Sequence, residues 1–237
     1  DMKNGHVKVY SSDNRHANLD DESAYSIYKD IAGDIWVGTM QGINLYNRTT
    51  DSFIRMQEVG VTTLDIDQDR QGLYWFCTQG RGIYQYNSAT GTWKNYSYAN
   101  EEHALCSDHA NCILVAEDGT LWAGTSKGLC RYNASADTFE IIPLDIPNQN
   151  ICGIVEEEHI LWLTTSKGIV RYTPGAPTEL FMKNDGLLSD QFIPNAILKA
   201  SDGKIYAGTA NGFNAFFPHS SKTNEVVPPV YITGLEI

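Results

Sequence analysis

Basic residues are scarce in this chain: 17 Lys and Arg stand against 29 Asp and Glu, a formal charge of −12. Nucleic-acid binding needs a cationic surface to displace phosphate counterions, and docking on anionic lipid needs the same, so both are disfavoured. Long apolar runs are missing too. No stretch approaches the ~18 consecutive apolar residues of a membrane helix. No signal peptide opens the sequence, and Asp1 begins in mid-pattern, as expected of a mature fragment or an excised piece. Cysteine is sparse and odd in number, five in all, with no C-x-x-C pair and no Cys/His cluster of zinc spacing. Cys77 and Cys130 fall in predicted strands as small apolar residues, which leaves Cys106 and Cys112 as the plausible local disulfide. The histidines are scattered without metal-ligand spacing, and neither G-x-S-x-G nor a glycine-rich phosphate loop occurs. No metal or cofactor is expected.

What the sequence does contain is a repeat. Five times a turn carrying acid or glycine leads into a short strand centred on an aromatic residue, then a glycine-containing turn and another strand. The aromatic anchors are Trp36, Trp75, Trp122, Trp162 and Tyr206, spaced 39, 47, 40 and 44 residues apart. A period of roughly 40–50 residues built from short strands indicates a β-propeller. The third copy shows the unit: Asn111–Glu117 and Leu121–Thr125 flank the turn Asp118-Gly119, Ser126–Gly128 turns again into Leu129–Asn133, and Thr138–Leu144 supplies a fourth strand. The fold is therefore all-β, about five four-stranded blades within residues 1–218, expected to be part of a larger ring. Glycines at 42, 82, 128, 168 and 212 fit positive-φ turn positions between second and third strands. Gly38, Gly124 and Gly208, two residues after an anchor, fit close approach of neighbouring blades. His6–Tyr10 reads as the last strand of a preceding blade, 219–229 as a linker, and 230–237 as a strand in a new context.

The acids read mainly as architecture. Asp30, Asp69 and Asp118 recur because a turn uses an Asp side chain to accept backbone N–H bonds. The runs Asp20–Glu22, Glu101-Glu102 and Glu156–Glu158 read as solvated loops. Asp65-Ile-Asp-Gln-Asp-Arg-Gln imitates the start of a calcium loop but has Arg70 at the glycine position and Phe76 at the bidentate position, which argues against that site; alternation on a strand would put Asp65 and Asp67 on one solvent face. The fourth copy lacks the Asp-Gly turn and the Gly-Thr pair, so its blade is expected to be the least regular. The extra residue in Gln79–Gly82 is expected to make that turn protrude.

The repeat resembles the two-component regulator propeller of the periplasmic sensor region of hybrid two-component system proteins from Bacteroides-type bacteria. The likeness rests on D-x-x-G-x-[IL]-W-x-G-T-x-x-G-[IL]-x-x-Y-N, matched at Asp30–Asn47 and, slightly shifted, at Gly119–Asn133. Asn184–Pro218 is similar to the segment that closes such propellers, with Tyr206 and Phe213 in place of Trp and Leu. Pro228–Ile237 is similar to the first strand of the immunoglobulin-like domain that follows. The resemblance implies a non-enzymatic, periplasmic sensing module that recognises a glycan-derived oligosaccharide and signals to a downstream kinase, as a homodimer in the parent protein, without touching nucleic acid or membrane itself. The alternatives are a non-binding scaffold or dimerisation element and, less favoured, a propeller glycan lyase or hydrolase, which would need paired carboxylates that the sequence does not display. Sugars offer hydroxyls and apolar C–H patches, so their sites want amides, charged donors and aromatic faces. On the turn-bearing face these are Gln79, Arg81, Lys127, Lys167, Gln191, Asn195 and Asn211, with Tyr98 and Phe192 as aromatics.

Overall fold

The computed structural model describes residues 5, 7–11, 19–99 and 105–218; the expected linker and following strand at 219–237 lie outside them. The chain forms a five-bladed, all-β propeller. Blade 1 comprises β1 (Ala24–Lys29), β2 (Ile35–Thr39), β3 (Gly42–Asn47) and β4 (Ser52–Met56). Blade 2 comprises β5 (Thr63–Gln68), β6 (Leu73–Thr78), β7 (Ile83–Asn87) and β8 (Thr92–Tyr96). Blade 3 is β9 (Ala110–Val115), β10 (Leu121–Thr125), β11 (Gly128–Asn133) and β12 (Thr138–Ile142). Blade 4 is β13 (Ile151–Glu157), β14 (Ile160–Thr165), β15 (Gly168–Tyr172) and the short β16 (Glu179–Phe181). Blade 5 shows three strands among the described residues, β17 (Phe192–Lys199), β18 (Ile205–Thr209) and β19 (Gly212–Phe216). Every sheet is an antiparallel meander. The inner strands β1, β5, β9, β13 and β17 stand side by side around the central channel.

The cores lie between blades, not within them. A single four-stranded sheet cannot shield its own apolar face, so each blade buries the aromatic anchor of the one before. Trp36 packs with Ile66, Tyr74 and Phe76 of blade 2; Trp75 with Ile113, Leu121 and Phe139 of blade 3. Trp122 and Trp162 repeat this against blades 4 and 5. Tyr206, the fifth anchor, is half-buried, and on its flank Leu198 and Phe213 are 61% and 63% exposed.

The outer strand is bonded to one blade and packed on the next. In blade 2, Tyr96 donates its hydroxyl to Asp137 of blade 3 at 2.7 Å while Lys94 pairs with the same carboxylate. The segment 7–10 repeats this arrangement on blade 1: Tyr10 donates to Asp51 at 2.7 Å and Lys8 pairs with Asp51. It thus occupies the position of an outer strand preceding blade 1, as the sequence suggested.

Several expectations need correction. All five cysteines are free and buried. Cys106 sits in the seam between blades 2 and 3 and Cys112 in the seam between blades 3 and 4, on opposite sides of blade 3, so they do not pair. The turn at Gln79–Gly82 does not stand free: the N–H groups of Gly80 and Gly82 both donate to the Asp108 carbonyl, at 3.0 and 2.8 Å. The missing Asp-Gly turn of blade 4 does not disturb its β13–β14 hairpin, because Glu158 and His159 adopt positive φ (49° and 63°) and make the tight turn without glycine; the departure of this blade is its outer strand β16, cut to three residues. The least regular blade is the fifth, where β17 bulges between Phe192 and Ile197.

Close approach at the anchor-plus-two glycines holds for two of the three. A Cβ on Gly38 would lie 2.7 Å from the Thr63 carbonyl oxygen of blade 2, and one on Gly124 would lie 2.6 Å from Ile151 Cγ2 of blade 4. At Gly208 the crowding comes from Ala196 of its own blade. Gly124→Ala is therefore expected to lower the free energy of urea unfolding by about 2 kcal/mol through overpacking. Gly60→Ala, where a Cβ meets nothing within 4 Å, should leave it unchanged.

Candidate functional site

The turns between second and third strands project from one face of the propeller. Each is built the same way: in Thr125–Gly128, Thr125 Oγ1 donates to the Gly128 carbonyl and accepts from Lys127 N–H, and Thr165 does the same for Lys167. The buried threonine fixes the backbone, and the lysine after it is left exposed. Sequence position alone thus explains why Lys127 and Lys167 both stand at this rim.

Between blades 4 and 5 this face opens into a cavity of about 520 Å³. Its floor and one wall come from Ser166, Lys167 and Asn211 at the turn tips; the other wall is the inter-blade loop, contributing Met182, Lys183, Leu188, Ser189, Asp190 and Gln191. The loop is internally braced. Asp190 Oδ1 accepts the Lys183 N–H at 2.5 Å, the Asp190 carbonyl accepts the Gly168 N–H at 2.7 Å, and Leu188 N–H donates to Asn214 Oδ1 at 2.8 Å. Two ammonium groups, the Asp190 carboxylate whose Oδ1 is held by the Lys183 N–H, a side-chain amide from each side and the apolar surfaces of Met182 and Leu188 therefore border one recess, with one positive charge in excess. Such a lining suits a polyhydroxylated ligand carrying negative charge: amides and ammoniums meet its oxygens, and the apolar side chains meet its C–H faces.

The nine residues expected from sequence fall into four groups. Lys167, Gln191 and Asn211 line the cavity together. Lys127 and Tyr98 form a neighbouring pair, the ammonium 5.2 Å from the ring centroid, and Tyr98 is 62% exposed. Gln79 and Arg81 are exposed on the blade 2 turn and do not reach the cavity. Phe192 and Asn195 do not stand on the face that carries these turns. Phe192 is buried in the core between blades 4 and 5. Asn195, at φ 56° on the β17 bulge, reaches across the channel and donates its amide to the Leu64 carbonyl of β5 at 2.6 Å. Lys183 and Met182 were missed, since nothing in the sequence marks a loop following a three-residue strand as a cavity wall.

Asp65 and Asp67 also differ from expectation. Their alternation places both on one face of β5, but that face turns toward blade 3. Asp65 Oδ2 accepts the Ile113 N–H at 2.9 Å and Asp67 Oδ2 the Val115 N–H at 2.7 Å, lacing β5 to β9. Burial at the channel wall pushes the Asp65 carboxyl up to about 7, against the opposing pull of its backbone donors. The acidic runs are likewise partly structural: Asp20 accepts from Thr39 Oγ1 (2.6 Å) and Asn44 Nδ2 (2.7 Å), and Glu156 is 7% exposed.

A second recess, about 660 Å³, lies between blades 2 and 3 and is bordered by Asp118, Arg131 and Glu140. Its acids are engaged. Hydrogen bonding to Arg131, 2.7 Å away, and to Asn133 holds Glu140 below the usual carboxylate range, and the Thr120 N–H does so for Asp118. Glycoside hydrolysis wants one of its two carboxyls raised, so that it can donate a proton; this pair is shifted the other way.

Residues 18–41, which include the first anchor Trp36 and the turn between the second and third strands of blade 1, match the family described as two component regulator propeller. Among solved structures, the chain is similar to the extracellular domain of a hybrid two component system from B. thetaiotaomicron, at a TM-score of 0.71 and 20% identity, covering 84% of this chain and 26% of that one. A second such domain from the same organism aligns at a TM-score of 0.66 and 22% identity, covering 96% of this chain and 37% of the other. A virginiamycin B lyase from Staphylococcus aureus shares the propeller fold at 0.62 and 16% identity, with coverage of 88% and 72%. The chain thus spans about a quarter to a third of the two extracellular domains. No curated protein matches it. Among the described residues, no helix is long and apolar enough to cross a membrane.

A pKa raised in the folded state has a measurable consequence for stability. A carboxyl near 7 in the native state and near 4 when unfolded binds its proton more tightly when folded. Its stabilising contribution is present below about pH 4 and is lost as pH rises through about 7. Urea titrations should show this contribution falling by on the order of 2–4 kcal/mol between pH 4 and 8, and Asp65→Asn should flatten that slope.

Proposed function

We propose that the chain is the ligand-recognition part of an extracytoplasmic sensor in a two-component system, that it is not an enzyme, and that the cavity between blades 4 and 5 receives a glycan-derived oligosaccharide. The observation that carries the reading is the convergence of Lys167, Gln191 and Asn211, three residues singled out by chemistry alone, on one recess of about 520 Å³. The matched repeat and the likeness to extracellular domains of hybrid two component systems support the sensor assignment. The two lysines favour an acidic sugar over a neutral one. The downward shift of Asp118 and Glu140, whose hydrogen bonds favour the charged carboxylates, supports binding without turnover at their recess.

A sensor shifts an equilibrium only by binding its two states differently. The cavity meets this condition in its construction, because its walls belong to different elements: turn tips on rigid blades and the loop through residues 182–191. A ligand bridging Lys167 to Lys183 would draw the loop onto the blade face. The bridged arrangement would then be favoured in the paired sensor and relayed, through the domain after the propeller, to a kinase.

Calorimetric titration with galacturonic-acid oligosaccharides and with neutral malto-oligosaccharides tests the reading. Saturable heat with the acidic series, without product formation, is the expected result. Reversing both charges, Lys167→Glu with Lys183→Glu, should weaken binding at least tenfold while leaving thermal unfolding unchanged. Unchanged affinity in that variant removes this cavity as the site, and turnover overturns the non-enzymatic assignment.

A further inference from the structure

The indole N–H groups of the first two anchors have a dedicated acceptor. Trp36 Nε1 donates to Asp30 Oδ2 at 3.0 Å and Trp75 Nε1 to Asp69 Oδ2 at 2.9 Å, in each case an acid six residues before the anchor. Blade 4 keeps an acid at that position, Glu156, but its extra methylene carries the carboxylate elsewhere. Glu156 Oε2 accepts the Glu117 N–H of blade 3 at 2.5 Å, and Oε1 lies 3.4 Å from His159 Nδ1. Trp162, 2% exposed, is left with a buried Nε1 that has no partner among the described residues. Asn214 Nδ2 of β19 is orphaned in the same way, while its oxygen is used by Leu188.

Trp162 and Asn214 line a common cavity of about 240 Å³ between β14–β16 and β19. Its walls are Ile169, Phe181, Leu187 and Phe216, and Asp185 borders it. No Lys or Arg contributes to the lining. A buried donor without an acceptor costs about 1–3 kcal/mol, and two in one apolar cavity mark a place where an acceptor is wanted. A dry cavity of about 150 Å³ already admits benzene, so this one has room for a substituted six-membered ring. The Asp185 carboxylate disfavours an anion there.

We propose that this cavity is a small-molecule site, separate from the oligosaccharide recess, that takes an uncharged ring compound carrying a carbonyl or amide oxygen. The ring fills the space between Phe181 and Phe216, and the oxygen accepts from Trp162 Nε1 and Asn214 Nδ2. The two cavities lie on either side of one loop: Met182, Lys183 and Leu188 border the polar recess, whereas Asp185, Gly186 and Leu187 border the apolar one. The chemistries do not overlap, so the two occupants do not compete for the same groups.

The test uses protein labelled with ¹⁵N at its five tryptophans, with the Trp162 indole signal assigned by its loss in Trp162→Phe. Benzamide, toluene and benzoate are the probes. Benzamide should shift the Trp162 indole proton downfield saturably, toluene should bind at least fivefold more weakly without that shift, and benzoate should bind weakest. Trp162→Phe should lower benzamide affinity about tenfold and leave toluene within twofold. Leu187→Trp, which fills the cavity, should abolish binding of all three while the other four indole signals stay in place. A Trp162 signal that no probe moves, equal affinity for benzamide and toluene, or undiminished binding to the Leu187→Trp protein would each overturn the proposal.

Discussion

An aromatic anchor buried against the next sheet is the contact on which this propeller depends, and in blades 1 and 2 the indole's one polar atom is returned to a carboxylate. Trp36 shows it in full. Its ring is covered by Tyr74 and Phe76 of blade 2, and Asp30 takes both its N–H and the Tyr74 hydroxyl, the latter at 2.7 Å. A single carboxylate thereby joins two blades. Burying an indole removes on the order of 200 Å² of mostly apolar surface from water, roughly 5 kcal/mol of driving force. The carboxylate adds direction to that force, which burial alone lacks. The burial of the anchor ring between sheets, without the carboxylate, recurs at Trp122 and Trp162.

Periodicity made the fold legible, because the constraint that creates it acts at the same position in every copy. Anchor, turn glycine and close-approach glycine each answer to one local requirement. Gly82 illustrates this, since its φ is 71° and a Cβ there would lie 2.0 Å from the Tyr96 carbonyl oxygen. The site was less legible. Lys167 and Asn211 could be read because turn tips of a propeller share a face, but Phe192 and Asn195 could not be placed. A bulge of several residues in β17 decides which of them enters the core and which crosses the channel, and no sequence pattern announces a bulge of that length. Asp65 and Asp67 failed for a related reason. Alternation reports which residues share a face of a strand, and only tertiary packing reports whether that face meets water or a neighbouring sheet.

Departures from the repeat cluster at the boundary between blades 4 and 5. Glu156 replaces the shorter acid beneath Trp162, β16 is cut to three residues, a loop with one 3₁₀ turn at Lys183–Asp185 takes over, and β17 bulges. Two cavities flank the loop at this seam, one polar and one apolar. Loosened packing costs stability and here leaves space.

The outer strands carry one more implication. Tyr96 is hydrogen-bonded into the sheet of blade 2, yet its side chain belongs to the core and the polar clamp of blade 3. Segment 7–10 stands in the same relation to blade 1. The unit defined by backbone bonding and the unit defined by side-chain burial are therefore out of phase by one strand. In an array of this kind neighbouring modules interlock like overlapping roof tiles, and no cut between residues separates both units cleanly. Cooperativity along the chain then comes from the stagger itself: unfastening one sheet strips a side from the core of its successor and uncovers the anchor of its predecessor, so each blade is tied to both neighbours.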